Sequence, residues 1–224
     1  MIIVMFGAPG VGKGSQASVL SNALGIPHVS TGDIFRENIE RGTELGLLVK
    51  GYTEQGALVP DELTIGLIMD RILQDDCARG FILDGFPRTL AQAENLDALM
   101  ASRNLKIDAI INISLEDEQI VARLSGRRIC PSCNLVYHLE HKRPERADRC
   151  DRCKRQLVQR SDDTKATITK RLEIYHDRTK SLLSYYRGTH RVLDIVSQQD
   201  ISETTRRIRN ALGLDQDDCP TKTA

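Results

Sequence analysis

Three sets of residues could do chemistry by their types and spacing. The first is Gly7-Ala8-Pro9-Gly10-Val11-Gly12-Lys13-Gly14-Ser15. A glycine-rich turn between an apolar run and a helical pattern aims several backbone N–H groups at one point. The helix N-terminus adds partial positive charge and Lys13 adds a full one. This is the P-loop design, a cradle for phosphate. The generic pattern has Ser or Thr directly after the lysine; here Gly14 takes that place and Ser15 follows.

The second set is Phe81-Ile82-Leu83-Asp84-Gly85-Phe86-Pro87-Arg88-Thr89, an apolar run ending in an acid. Asp84, at the carboxyl edge of a sheet, would lie beside the phosphate loop and could hold Mg2+ through water. Arg88 is two-pronged and suits a phosphate. The third set is Cys130-Pro131-Ser132-Cys133 and Cys150-Asp151-Arg152-Cys153, two pairs separated by sixteen residues. That spacing predicts a tetrahedral metal site of four thiolates, zinc or iron, with no open coordination position and therefore a structural role. Disulfides or free thiols are the alternatives for these cysteines, and His138 and His141 are alternative ligands. Cys77 and Cys219 read as unpaired thiols.

These residues need elements to position them. Apolar runs suited to buried strands occur at Ile2–Phe6, Pro27–Ser30, Phe81–Asp84, Ala109–Ile113 and Val192–Val196. They show little alternation, as in a parallel sheet covered on both faces. Helical patterns lie between them: Ala17, Leu20 and Leu24 with Gly25 as a C-terminal cap; Leu63, Leu67, Ile68 and Ile72 behind an N-capping Asp61; Ala93, Leu96 and Met100 from about Leu90; and Ile168, Leu172 and Tyr175 behind Asp163 as cap. The alternation predicts a doubly wound α/β domain with a five-stranded parallel sheet. Two stretches break the rhythm and read as small insertions, 30–59 and 126–163. The second is rich in Arg and Lys and holds four of the six cysteines. Residues 215–224 read as a frayed tail.

Lys plus Arg and Asp plus Glu both number 31, so the formal charge is zero, which argues against a general polyanion binder. Aromatics are 4% and Trp is absent, so a stacking platform for single strands is not expected either. A zinc-ribbon nucleic-acid binder that merely senses ATP is the rival from another class, and both features oppose it. No run of apolar residues is long enough to cross a membrane. The apolar run after Met1 lacks a basic leader and a cleavage site, so a cytoplasmic protein is expected, where cysteines serve metal or redox chemistry before disulfides.

With these motifs in order along most of the chain, the sequence resembles the adenylate kinase family. The matching pieces are Gly7–Gln16; Ser30-Thr31-Gly32-Asp33 with Arg36; Leu58-Val59-Pro60-Asp61; Asp84–Thr89 with Gln92; Gly126-Arg127-Arg128; and Arg160-Ser161-Asp162-Asp163 with Arg171. The insertion at 126–163 looks like the long-lid form with zinc knuckles. The resemblance implies a core of residues 1–29, 60–125 and 164–214, a nucleoside-monophosphate-binding insertion at 30–59, and a zinc-binding lid at 126–163. It implies reversible phosphoryl transfer from ATP to AMP, giving two ADP, with Mg2+ and a structural Zn2+, in a monomer. Gly10, Val11, Gly12, Lys13, Gly14 and Ser15 would hold ATP phosphates. Thr31, Arg36, Ala57, Leu58, Val59, Gly85, Phe86, Pro87, Arg88 and Gln92 would form the AMP site, with Gln92 on the adenine edge. Arg127, Val136 and Tyr137 would reach ATP from the lid, and Gln199 would meet its adenine through the backbone. Lys13, Arg88, Arg123, Arg160 and Arg171 would surround the transferring group.

Elementary chemistry agrees. The acceptor phosphate has a second pKa of about 6, so it is already ionised and needs no general base. The difficulty is repulsion between two polyanions, and Lys13, Arg36, Arg88, Arg123, Arg127, Arg160 and Arg171 supply seven cations against it. Water must be kept out, and the 126–163 insertion is the expected cover. The family often carries Gly after the second cysteine of each knuckle; Asn134 and Lys154 stand there. A UMP, CMP or GMP kinase, or a kinase using GTP as donor, is the enzymatic alternative.

Overall fold

The computed structural model describes residues 1–214; the expected tail at 215–224, with Cys219, lies outside the described residues. In chain order the elements are β1 (Ile2–Phe6), α1 (Lys13–Leu24), β2 (His28–Ser30), α2 (Thr31–Arg41), α3 (Glu44–Glu54), α4 (Asp61–Ile72), β3 (Phe81–Asp84), α5 (Leu90–Ser102), β4 (Ala109–Ser114), α6 (Asp117–Ser125), β5 (Arg127–Ile129), β6 (Val136–His138), α7 (Lys165–Ile174), α8 (Leu182–Thr189), β7 (Val192–Val196) and α9 (Ile201–Leu212). A tight turn at Ser161–Asp163 precedes α7, and a wider π turn at Tyr175–Thr179 joins α7 to α8.

One sheet carries five parallel strands in the order β2-β3-β1-β4-β7. The central strand, β1, is buried along its whole length, which is why its residues are apolar without alternation. Successive side chains point to opposite faces. Ile2, Val4 and Phe6 join Phe81, Leu83 and Ile110 beneath α4, α5 and α8. Ile3 and Met5 join Ile82, Ile111 and Ile113 beneath α1, α6, α7 and α9. Each such fully buried aliphatic side chain stabilises the fold by about 1.5–3 kcal/mol. The antiparallel pair β5–β6 is a separate sheet, with its own small cluster of Cys130, Tyr137, Cys150 and Leu157. Phe35, Val49 and Val59 form another, between α2 and α3.

Gly25 ends α1 at φ 63°, as its spacing predicts. Two expected helix caps are not caps. Asp61 is the first helical residue of α4, with Pro60 at the cap position, and its carboxylate reaches α5 instead. Thr164 caps α7 by accepting from the Thr167 N–H, while Asp163 is fully buried and ion-paired. In both cases side-chain donors distant in sequence, neutral for Asp61 and a guanidinium for Asp163, engage the carboxylate in place of local N–H groups.

Candidate active site

The carboxyl ends of β1 and β3 bring the first two motifs side by side, at the edge where parallel sheets bind ligands. Gly12 occupies the N-cap position of α1 at φ 105°, and no side chain caps the helix, so its first N–H groups are unclaimed by a cap. Lys13 folds back over the loop; its Nζ donates to the Gly7 and Ala8 carbonyls, both at 2.8 Å. Burial brings the Lys13 ammonium down to about 8, opposed by Asp84 and reinforced by Arg88, Arg171 and Arg127.

Gly14 explains its own departure from the generic pattern. A Cβ there would stand 3.2 Å from Asp84 Oδ2, so the loop and the acid approach too closely for an easy side chain. Burial pushes the Asp84 carboxyl up, but His28, 3.4 Å away, and the charge of Lys13 outweigh it and hold the group below the ordinary range. Asp84 is therefore a buried carboxylate, fit to take a hydrated Mg2+ beside the loop. Gly85, at φ 80°, is equally constrained: a Cβ would come within 2.6 Å of Thr31 Oγ1 and 2.9 Å of an Arg88 guanidinium nitrogen. Thr31 Oγ1 donates to the Gly85 carbonyl at 3.0 Å, and Arg88 Nε donates to the same carbonyl at 2.7 Å. Phe86 is buried, and the Phe86–Pro87 peptide is cis.

Six of the seven expected cations act on one another. Burial and the charges of Arg171 and Arg36 bring Arg88 down to about 10. Burial with Arg127 and Arg36 does the same to Arg160, whose Nε is buried with no hydrogen-bond partner. Burial also lowers Arg171, assisted by Arg127 and Arg36. The acids among them are structural partners: Asp163 accepts both prongs of Arg127 at 2.7 and 2.6 Å, Asp162 accepts Arg171 at 2.8 Å, and Asp33 accepts Arg36 at 2.6 Å. Arg123 is the exception. Its guanidinium donates to Ser197 Oγ at 2.9 Å and the Gln198 carbonyl at 2.7 Å, and burial alone lowers its pKa.

Ala57, Leu58 and Val59 follow α3, with Val59 packed against Phe35. Gln92 is buried on the first turn of α5, beside Arg88. Gln199 sits next to the carbonyl that Arg123 engages, and its Nε2 lies 3.2 Å from His141 Nδ1. Tyr137 turns its side chain to the cysteines: its hydroxyl donates to Cys150 Sγ and accepts from the Asp151 N–H at 2.8 Å. Val136 and Tyr137 pair through their backbone register with Ile129 and Arg128 of β5. Sequence reasoning missed Asp61 and Thr89 as partners of Gln92, and Thr179, whose hydroxyl donates to the Arg88 carbonyl at 3.1 Å. The Thr89-x-x-Gln92 spacing, a capping-box pattern, was the available signal.

The four cysteine sulfurs lie within 4.8 Å of one another, and none forms a disulfide. Cys130 and Cys153 are 3.2 Å apart, Cys133 and Cys150 3.4 Å, Cys133 and Cys153 3.8 Å. A tetrahedral zinc with sulfurs at about 2.3 Å would set them about 3.8 Å apart, so a small repacking around the ion suffices. His138 and His141 stack on each other at 4.6 Å and are not part of the cluster. Asn134 (φ 57°) and Lys154 (φ 59°) both adopt the left-handed conformation, and both knuckles close with the same N–H to carbonyl bond, Asn134 to Cys130 and Lys154 to Cys150. The side chain at Lys154 costs the second knuckle no change in shape.

A model of the adenylate kinase family matches residues 5–191. Curated relatives agree over nearly the full length. An adenylate kinase of Caldicellulosiruptor saccharolyticus is 48% identical over 96% of this chain and 100% of its own. One from Acetivibrio thermocellus is 48% identical over 95% of this chain and 98% of its own. One from Clostridioides difficile is 47% identical over 95% of this chain and 99% of its own. Together with the phosphate loop, the parallel sheet behind it and the converging cations, these matches show that the chain belongs to the adenylate kinase family.

Proposed function

We propose that the cleft above β1 and β3 catalyses ATP + AMP to two ADP by positioning and charge stabilisation, without a general base. A phosphate oxygen of AMP attacks the γ phosphorus of ATP. The bond from that phosphorus to the β–γ bridging oxygen breaks, and its electron pair leaves on ADP. The observation that carries this reading is the excess of partly buried positive charge. Lys13, Arg36, Arg88, Arg127, Arg160 and Arg171 act on one another, and their carboxylate partners Asp33, Asp84, Asp162 and Asp163 leave two charges uncompensated. Two nucleotides bring the missing anions.

The P-loop residues Gly10, Val11, Gly12, Lys13, Gly14 and Ser15 hold the donor phosphates through N–H groups and the Lys13 ammonium. Arg88 and Arg36, with Thr31, Ala57, Leu58, Val59, Gly85, Phe86 and Pro87, hold AMP, and Gln92 reads its adenine. Arg127, Arg160 and Arg171 spread over the transferring group. Arg123 joins them there, and Gln199 and the Val136–Tyr137 backbone take the donor's far end. Asp84 and Ser15 would hold Mg2+, which would supply charge neutralisation to the donor phosphates. Cys130, Cys133, Cys150 and Cys153 hold Zn2+ as a structural ion.

We read residues 1–29, 60–125 and 164–214 as the core, 30–59 as the AMP-binding insertion and 126–163 as the cover that excludes water. Packing of α3 against the Ser161–Asp163 turn supports a cleft enclosed from both sides. One chain supplies every site residue, which fits a monomer. Four reduced, clustered thiols fit the cytoplasm. A coupled assay with AMP, UMP, CMP and GMP as acceptors and ATP or GTP as donor tests the reading. AMP with ATP gives the highest kcat/KM; faster turnover of UMP than AMP defeats it.

A further inference from the structure

We infer that Asp61 sets the base selectivity of the acceptor site, as a positioning residue that locks the carboxamide of Gln92 in one of its two orientations. The inference rests on the reading that Gln92 faces the acceptor's adenine.

Four hydrogen bonds define the lock. Asp61 Oδ1 accepts from Gln92 Nε2 at 2.7 Å, and Asp61 Oδ2 accepts from Thr89 Oγ1 at 2.7 Å. The Arg88 N–H donates to Gln92 Oε1 at 2.8 Å, and the Gln92 N–H donates to Thr89 Oγ1 at 3.3 Å. A carboxamide is nearly isosteric with itself after a half-turn that exchanges O and N, so shape alone does not choose between them. Chemistry does. The Asp61 carboxylate only accepts and the Arg88 N–H only donates. The flipped amide would set oxygen against carboxylate and NH2 against N–H. Gln92 is 2% exposed, so water is poorly placed to rescue either contact.

Each clamp uses one side of the amide and leaves one N–H and one oxygen lone pair. Adenine offers a donor, its 6-amino group, beside an acceptor, N1. Hypoxanthine and guanine offer the reverse, O6 beside N1–H. A free glutamine serves either base by turning over, whereas a clamped one serves a single order. Asp61 thus converts an adaptable side chain into a selective one. It does so from the start of α4, 31 residues away in sequence, which also ties the end of the Ala57–Val59 segment to α5.

The test measures kcat and KM of the full-length protein for AMP and for inosine monophosphate, which differs from AMP only at the 6-position and N1. Asp61→Asn keeps the shape but can donate or accept, so it releases the carboxylate side of the clamp and leaves only the Arg88 N–H to bias the amide. The expected result is a fall of about tenfold or more in the AMP-to-IMP ratio of kcat/KM. It arises from a higher KM for AMP and a lower one for IMP, with kcat changed less than about threefold. In a Gln92→Leu background the same substitution leaves the ratio unchanged. If Asp61→Asn misfolds, Asp61→Glu against Asp61→Gln carries the same contrast. Equal losses for AMP and IMP, whatever the change in melting temperature, reduce Asp61 to a strut and overturn the proposal. If Gln92→Leu alone leaves the ratio untouched, Gln92 does not read the base, and the underlying reading of the site fails instead.

Discussion

The phosphate cleft and the cysteine knuckles both gather like charge, and they differ in how that charge is tolerated. In the cleft, burial first, and then cations that face one another with acids covering only part of the excess, take Lys13 down to about 8 and Arg160 to about 10. In the knuckles burial pushes Cys130 and Cys150 up, but the Cys153 thiol and turn N–H groups at Cys130, and turn N–H groups with the Tyr137 hydroxyl at Cys150, outweigh it and hold both below the ordinary thiol range. At Cys133 the Leu135 N–H pulls the thiol down, but burial and the neighbouring sulfurs outweigh it and push the group up to about 12. On the proposed reading, the knuckle's counter-charge is a structural ion that stays. The cleft's counter-charge is substrate that arrives and leaves each turnover. A resident partner allows the surrounding fold to depend on it. A transient one requires scaffolding that survives its departure, which the Asp33, Asp162 and Asp163 ion pairs and the sheet behind them supply.

The sharpest way to break the comparison is to remove a cleft cation. Lys13→Met or Arg88→Ala should lower turnover by about 10²-fold or more, since each positions or stabilises developing charge. The melting temperature should change little, because relief from burying a cation offsets the hydrogen bonds lost at the Gly7, Ala8 and Gly85 carbonyls. Near-normal turnover in either variant, or a lowered melting temperature in both, would mean that these groups serve the fold.

Removing the proposed structural ion should do the opposite. The 126–163 segment has a core of four buried residues, two of them cysteines, too small to stand alone. A chelator, or Cys130→Ser, should lower the melting temperature by about 10 °C or more while kcat at 25 °C falls only several-fold. Elemental analysis distinguishes zinc from iron in the same sample. Equal melting curves with and without chelator would rule out a structural metal.

The same contrast explains what was legible in the sequence. Motifs whose chemistry is local were legible: the Gly7–Ser15 loop, the cysteine pairs, the apolar β1, the Gly25 cap. Each depends on residues within a turn or strand of one another. Asp61 and Asp163 were misread as caps because capping is a local preference, and their partners lie 28 and 36 residues away. Arg123 was grouped with five other arginines and Lys13 by motif alone; nothing in the sequence announces that its guanidinium meets Ser197 and the Gln198 carbonyl. Tyr137 carries the same lesson, since nothing in Val136-Tyr137-His138 announces that its hydroxyl faces sulfur.

The finest test titrates the cleft without mutating its neighbours. Lys13 ionises at about 8 in the free protein, so above that pH a growing share lacks the charge that meets phosphate. Because kcat/KM reports the free enzyme, its value for ATP should decline with an apparent pKa near 8, while kcat stays flat to higher pH because bound phosphates favour the ammonium. Stability must move the other way. Between about 8 and 10.5 the unfolded chain holds the proton that folded Lys13 has lost, so stability rises with pH, and the penalty of about 3 kcal/mol is fully present below 8. Arg88 and Arg160 add the same sign only above about 10, and Tyr185, raised to about 12, adds the opposite. The gap between Lys13→Met and the parent protein isolates Lys13 from them. The variant also strands the Gly7 and Ala8 carbonyls, a cost that does not change with pH, so the slope of the gap is the measurement. A stability advantage of Lys13→Met that shrinks steadily from pH 8 to 10 supports a strained, uncompensated cation. A gap independent of pH means that Lys13 is compensated within the fold, and the cleft then resembles the knuckle more than it differs from it.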